Sequence, residues 1–365
     1  MMLFRSLHFR RFIQVMGVGV LSIAALATAR AEPVRVVATF SVLGDMVKQI
    51  GGDRVALTTL VGPDGDALVF QPSPADARAV AKAQLLVVNG LGFEGWMERL
   101  LEAASFKGAL VTAADGVDAI EYVHGDEHHD DAEQDAHDGG GSARHGHDDK
   151  GAAKAHEDDD HHDKHKEHEG KRPEHHDGHK EAGHHDHDHG THDPHAWQDP
   201  ASAQVYVRNI AQGLSAVDAA NATYYQERLA NYLKKLQALD AEIKTSMAQL
   251  PASQRTVVTS HDAFQYFGRA FNLTLLAPQG LSTESEASAE DVARLIRQIR
   301  AHKISAVFVE NLGDPRLVER IAAETGAAVG GTLYPDALSP ADGPAPTYLD
   351  MLRTNARVLL GALKD

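Results

Sequence analysis

No cysteine occurs among the 365 residues. That absence excludes disulfides, thiolate metal ligands, a cysteine nucleophile and a lipid carried on cysteine, so a freely soluble mature protein is expected. Any bound metal must then sit on nitrogen and oxygen. Basic charge is also scarce, with 35 Lys and Arg against 52 Asp and Glu and a net charge of −17. A chain this acidic, with no basic stripe, is not built for nucleic acid. The zinc-hydrolase signature HExxH is missing as well.

What is present begins with export. Arg5, Arg10 and Arg11 precede the apolar run 12–27, and Ala29-Arg30-Ala31 offers small residues for cleavage. The run falls short of the about 20 residues a membrane span needs. A signal peptide over residues 1–31 is therefore expected, with the mature chain starting near Glu32 in the periplasm.

Acidity is concentrated in one segment. Residues 124–192 hold 21 Asp and Glu, 8 Lys and Arg, and 19 of the 23 histidines. With almost no large apolar side chains, such a segment cannot offset its ordering entropy by burial, and it reads as a disordered loop. Imidazoles beside carboxylates bind Zn²⁺, Ni²⁺ or Cu²⁺ with little selectivity, which suggests local capture or handover of metal.

On either side, β-branched runs alternate with amphipathic stretches. Strands are expected at 34–39, 55–61, 85–89 and 109–112, and helices at 42–50, 74–83 and 95–104. Such alternation implies a parallel sheet covered by helices. Beyond the insertion, 202–217 and 219–249 read as helices. Tyr225, Leu229, Tyr232, Leu233, Leu236 and Leu239 form an apolar stripe at helical spacing on the second. Strands at 257–259, 273–276 and 306–309, a helix at 289–302 opened by Ser288 and Asp291, and a last helix at 347–360 complete a second α/β unit. The expected organisation is an N-terminal lobe over 32–218, a linking helix over 219–250 and a C-terminal lobe over 251–365.

Three metal-ligand side chains stand where strands give way to loops, the place where open α/β sheets bind ligands. His195 lies in DPHAWQDP just before a helix, His261 follows the strand TVVTS, and Asp336 lies in LYPDALS just after a strand-like run ending at Tyr334. Two imidazoles and a carboxylate suit tetrahedral Zn²⁺. Each has a plainer reading: a histidine at a strand end is commonly just hydrogen-bonded, and Asp336 follows Pro335 as turn residues do. His302, at a helix C-terminus, complements the helix dipole.

The words around these residues occur in a fixed order: GPDGDALVFQPSPAD, DPHAWQDP, TSHDAFQYF, LYPDALS and GPAPTYLDML. Together they resemble the solute-binding proteins of metal-specific ABC transporters, in the zinc branch, over essentially the whole mature chain. The resemblance implies two α/β lobes with mainly parallel sheets, joined by one long rigid helix, with the metal in a cleft between them. It further implies a monomer that delivers Zn²⁺, with Mn²⁺ or another divalent metal as the alternative cargo, to a membrane permease. His195, His261 and Asp336 match the second, third and fourth ligand positions; the manganese branch has a carboxylate where this chain has His261. Leu68 stands where the family has its first histidine. Leucine cannot coordinate, so water, Asp66 or a histidine of the insertion must complete the shell, or affinity falls.

Two other functions remain open at this level. Three protein ligands plus water also describe a catalytic zinc, with Glu310 in FVENLGDP as a general base or, more simply, a structural carboxylate. A metal buffer acting only through the insertion is the other. Coordination by neutral imidazole predicts weaker binding below about pH 6.5, where histidine protonates.

Overall fold

In a computed structural model of the chain, residues 32–122, 192–281, 283 and 287–364 are described. The expected signal peptide and the His/Asp-rich segment through residue 191 lie outside the described residues.

β1 (Val34–Phe40), β2 (Val55–Val61), β3 (Leu85–Val88) and β4 (Ala109–Thr112) form one sheet in the order β2-β1-β3-β4, with every pairing parallel. β3 reads LLVV and is buried at all four residues. Continuous burial of this kind marks a parallel sheet covered on both faces. α1 (Ser41–Gly51) lies against β1 and β2, α2 (Pro74–Lys82) reaches β1 and packs with α3 (Met97–Ala104), and α4 (Pro200–Val217) lies against β3 and β4. Ser73 caps α2 in a reciprocal capping box with Asp76, which places Pro74 at the helix start.

The second sheet is also all parallel: β5 (Thr256–Val258), β6 (Thr274–Leu276), β7 (Ala306–Glu310) and β8 (Ala328–Leu333), in the order β6-β5-β7-β8. Its helices are α6 (Gln265–Phe271), α7 (Ala289–His302), α8 (Pro315–Thr325) and α9 (Tyr348–Leu363). The sequence reading had not separated α6 and α8 as elements, whereas the strand-like run ending at Tyr334 is β8. Only its end stands out in the sequence, because β8, AVGGTL, is glycine-rich and mostly unburied. The glycines have a packing reason: a Cβ on Gly330 would come within 2.3 Å of the Phe308 ring, and Gly331 has φ +125. The β7–β8 register shifts at the same place.

The long helix α5 spans Ala222–Met247, preceded by a 3₁₀ turn at Ala219–Asn221 rather than starting at 219. Tyr225, Leu229, Tyr232, Leu236, Leu239, Ile243 and Met247 are buried along one stripe, with Leu233 half-buried beside them. α5 touches α1 and α4 from the first unit and α6 and α9 from the second. One continuous apolar core runs through Phe40, Leu86, Leu236, Val257, Phe308 and Leu333. A smaller cluster, including Val258, Ile299, Val307 and Ile321, lies in the second α/β unit with α7 and α8. A core shared across two sheets opposes free hinge motion, which needs a small or polar interface.

Candidate metal centre

β5, β7 and β8 are parallel neighbours, so their carboxyl ends open on one edge. Three residues past β5 stands His261, β7 ends on Glu310, and three residues past β8 stands Asp336. Asn355 of α9 fixes the β8 exit, accepting from the Tyr334 amide at 2.8 Å and donating to the Tyr334 carbonyl at 2.8 Å. His195 comes from a different part of the chain, as the residue just before the 3₁₀ turn Ala196–Gln198. Asn89, just past β3, holds its approach: Nδ2 donates to the Pro194 carbonyl at 2.9 Å, and Oδ1 accepts from the Tyr206 hydroxyl at 2.7 Å.

The structure brings His195, His261 and Asp336 together, with one ligand atom of each within 4.8 Å of the others. His195 Nε2 lies 3.4 Å from Asp336 Oδ1, and His261 Nε2 lies 3.1 Å from Asp336 Oδ2. Relative exposures are 0%, 1% and 0%. Each imidazole presents its other nitrogen to a carboxylate: His195 Nδ1 to Asp193 Oδ1 at 2.8 Å, and His261 Nδ1 to Glu310 Oε2 at 2.5 Å. In the neutral ring that arrangement puts the proton on Nδ1 and a lone pair on Nε2. Both Nε2 atoms and both Asp336 oxygens are buried without a hydrogen-bond partner. Lone pairs so gathered and desolvated are costly unless a cation satisfies them.

Electrostatics point the same way. Burial alone would lower the His261 pKa, but the Glu310 and Asp336 carboxylates outweigh it and hold the imidazole well above its ordinary value. For Asp336, burial pushes upward, while His195 and His261 together pull its pKa below the usual carboxylate range. The same carboxylates that would attract a cation thus favour the protonated form of His261.

The other sequence candidates are not part of this trio. Leu68 is half-buried and packs on the main core, and Asp66 is not grouped with the three. The Asp66 carboxylate is already occupied, accepting from the Leu68 amide in its own loop at 2.9 Å and from the distant Thr283 Oγ1 at 2.7 Å. His302 is exposed in the last turn of α7. Glu310 is the orienting carboxylate of His261 and also accepts from the Ser260 and His261 amides, at 2.9 and 3.2 Å. That occupancy explains its buried position without a general-base role. Asp193 escaped the sequence reading. Its spacing two residues before His195 was the available signal, since an Asp side chain commonly bonds the backbone two residues on, as it does here at 2.9 Å.

The chain as a whole is similar to known metal-binding proteins. Residues 36–362 match the family described as zinc-uptake complex component A, periplasmic. Iron-binding protein YfeA of Yersinia pestis is 27% identical, over 91% of this chain and 88% of its own length. The manganese ABC transporter substrate-binding lipoprotein PsaA of Streptococcus anginosus is 24% identical over 93% and 94%. Among solved structures, the periplasmic zinc binding protein TroA from Treponema pallidum superposes with a TM-score of 0.68 at 25% identity, covering 91% of this chain and 99% of that one. The Mn-bound periplasmic metal binding protein from Candidatus Liberibacter asiaticus gives 0.67 at 26%, covering 91% and 100%. The metals in these names differ: iron, manganese and zinc.

Proposed function

Because the chain belongs to the zinc-uptake complex component A family, periplasmic substrate-binding proteins of metal ABC transporters, we propose that its cargo is Zn²⁺, held by His195, His261 and Asp336 and passed to a membrane permease. The family transports metals rather than catalysing reactions, so the hydrolase alternative falls. The observation that carries the zinc reading is the donor set: two imidazole nitrogens and one carboxylate, all buried and all without partners. Nitrogen-rich tetrahedral sites suit Zn²⁺, whereas Mn²⁺ favours more oxygen ligands and octahedral geometry. With leucine at position 68, the fourth place falls to water.

Deleting residues 124–192 separates this reading from a buffer that acts only through the insertion. The flanking chain is already joined, since the Asp193 amide donates to the Ile120 carbonyl at 2.9 Å. A short turn can therefore close the gap. Calorimetry on the deleted protein is expected to show fewer ions per chain, with one site surviving. Loss of all binding would mean that the insertion supplies an essential ligand.

Proton competition gives a second test. Zn²⁺ binds the neutral imidazole, so it must displace the proton that Glu310 and Asp336 stabilise on His261. Competition therefore starts above the roughly pH 6.5 of an unperturbed histidine. Below the raised pKa, apparent affinity falls by about tenfold per pH unit for each proton displaced. Chelator-competition titrations between pH 6.5 and 8 should show affinity rising with pH, with proton release in calorimetry. A flat profile over that window contradicts a protonated His261.

A further inference from the structure

The three proposed ligands do not have equally fixed positions. His261 and Asp336 leave strands of one sheet, and Glu310 on the intervening strand orients His261, so sheet register sets their separation. His195 belongs to a different part of the chain, and no hydrogen bond joins it to Asp336. One tie to the pair runs from the Tyr266 hydroxyl to the Asp193 carbonyl at 2.8 Å, and another is made by the carbonyl of Pro335, the residue immediately before Asp336. That oxygen accepts from Trp197 Nε1 at 2.8 Å and from Gln198 Nε2 at 2.5 Å. Both donors sit on the 3₁₀ turn that begins just after His195.

We propose that Trp197 and Gln198 form a spacer that sets the distance between His195 and the His261–Asp336 pair, and thereby decides which metal the centre prefers. The inference rests on the proposed metal site and adds the residues that determine its selectivity.

Rigidity supports the spacer role. The Trp197 ring closes a three-ring cluster with Phe40 and Phe93 at centroid distances of 5.0 and 4.9 Å, with the His195 ring at 5.3 Å. Its carbonyl accepts from the Tyr348 hydroxyl at 2.5 Å. Trp197, Gln198 and Tyr348 are all fully buried. Gln198 Nε2 also reaches the Tyr334 carbonyl at 3.4 Å, while its Oε1 is buried without a partner. The reversed amide would aim Oε1 at two carbonyl oxygens, so only the donor orientation is tolerable.

The consequence is geometric. Sites discriminate among divalent metals chiefly by geometry and ligand type, because intrinsic affinities follow one fixed order. Zn–N bonds run about 2.0–2.1 Å, and a frame that fixes the imidazole at that reach favours Zn²⁺. Relaxing the frame admits ions that want more ligands and more room.

The test uses full-length protein and thermal stabilisation by Zn²⁺ and by Mn²⁺, each converted to affinity through the linkage between binding and unfolding. Every variant is measured with and without His261→Ala, so that only stabilisation requiring the centre is counted. Gln198→Leu and Trp197→Phe remove one donor each and keep bulk in place. Either is expected to lower the Zn²⁺-over-Mn²⁺ preference by about tenfold, mainly through loss of Zn²⁺ affinity. Tyr225→Phe, which loses a 2.6 Å hydrogen bond to Asp218 at the start of α5, should leave the preference unchanged. Equal weakening of both metals in the Gln198 and Trp197 variants would reduce these residues to ordinary packing and overturn the proposal. If His261→Ala alone leaves stabilisation by both metals intact, the metal site itself is wrong and the spacer fails with it.

Discussion

His261→Ala in the protein lacking residues 124–192 is expected to lower Zn²⁺ affinity by about a thousandfold, roughly 4 kcal/mol. The substitution takes away one of three buried donors and strands two carboxylates. Glu310 Oε2 loses the imidazole it holds at 2.5 Å, and Asp336 Oδ2 loses the nitrogen at 3.1 Å. Both groups are buried, so water cannot easily replace the lost partner. Glu310→Gln keeps His261 but weakens its orientation, and an outer carboxylate of this kind is typically worth about 10–100-fold in metal affinity. His302→Ala serves as the control, because that side chain is exposed at the end of α7 and remote from the trio. Chelator-competition titration reads all three. Equal losses for His261→Ala and His302→Ala would remove His261 from the centre.

Leu68→His is expected to act in the opposite direction and tighten Zn²⁺ binding by at least about tenfold, or roughly 1.4 kcal/mol. Position 68 is where relatives in the resemblance place their first ligand. The loop around it is held by groups other than the Leu68 side chain. Asp66 accepts from the Leu68 amide and from Thr283 Oγ1, and the Asp64 amide donates to the Leu338 carbonyl at 2.9 Å. Asn311 Nδ2 adds a bond to Asp64 Oδ1 at 2.9 Å. The substitution should therefore leave the loop path unchanged while offering the ion a nitrogen. Without metal, the variant should lose about 1 kcal/mol, because a half-buried leucine gives up its apolar contact. With zinc present, the tighter complex should more than restore the melting temperature. Unchanged or weaker affinity would show that position 68 does not face the ion.

The linear sequence determined the elements with strong local signatures. β3 was legible because four consecutive apolar residues between turn signals have few alternatives to a buried parallel strand. α5 was legible from its stripe at helical spacing, and α2 from Ser73, Pro74 and Asp76. The three metal-centre candidates were legible as types of residue at strand ends, and more so from the ordered words around them. β8 was legible only at its end, before Asp336, because two glycines in a largely unburied strand carry neither strand propensity nor alternation, and the Phe308 ring that requires Gly330 lies twenty-two positions away.

Only the tertiary structure decided the rest. Adjacency of parallel strand ends put Glu310 on His261 and brought Asp336 to both histidines, and no local rule encodes which strands are neighbours. Nor could composition tell that Asp66 is taken up by Thr283, or that the Pro335 carbonyl is shared by Trp197 and Gln198. Sequence fixes which side chains can accept a cation. Whether their lone pairs meet, buried and unpartnered, depends on distances set by residues more than a hundred positions apart.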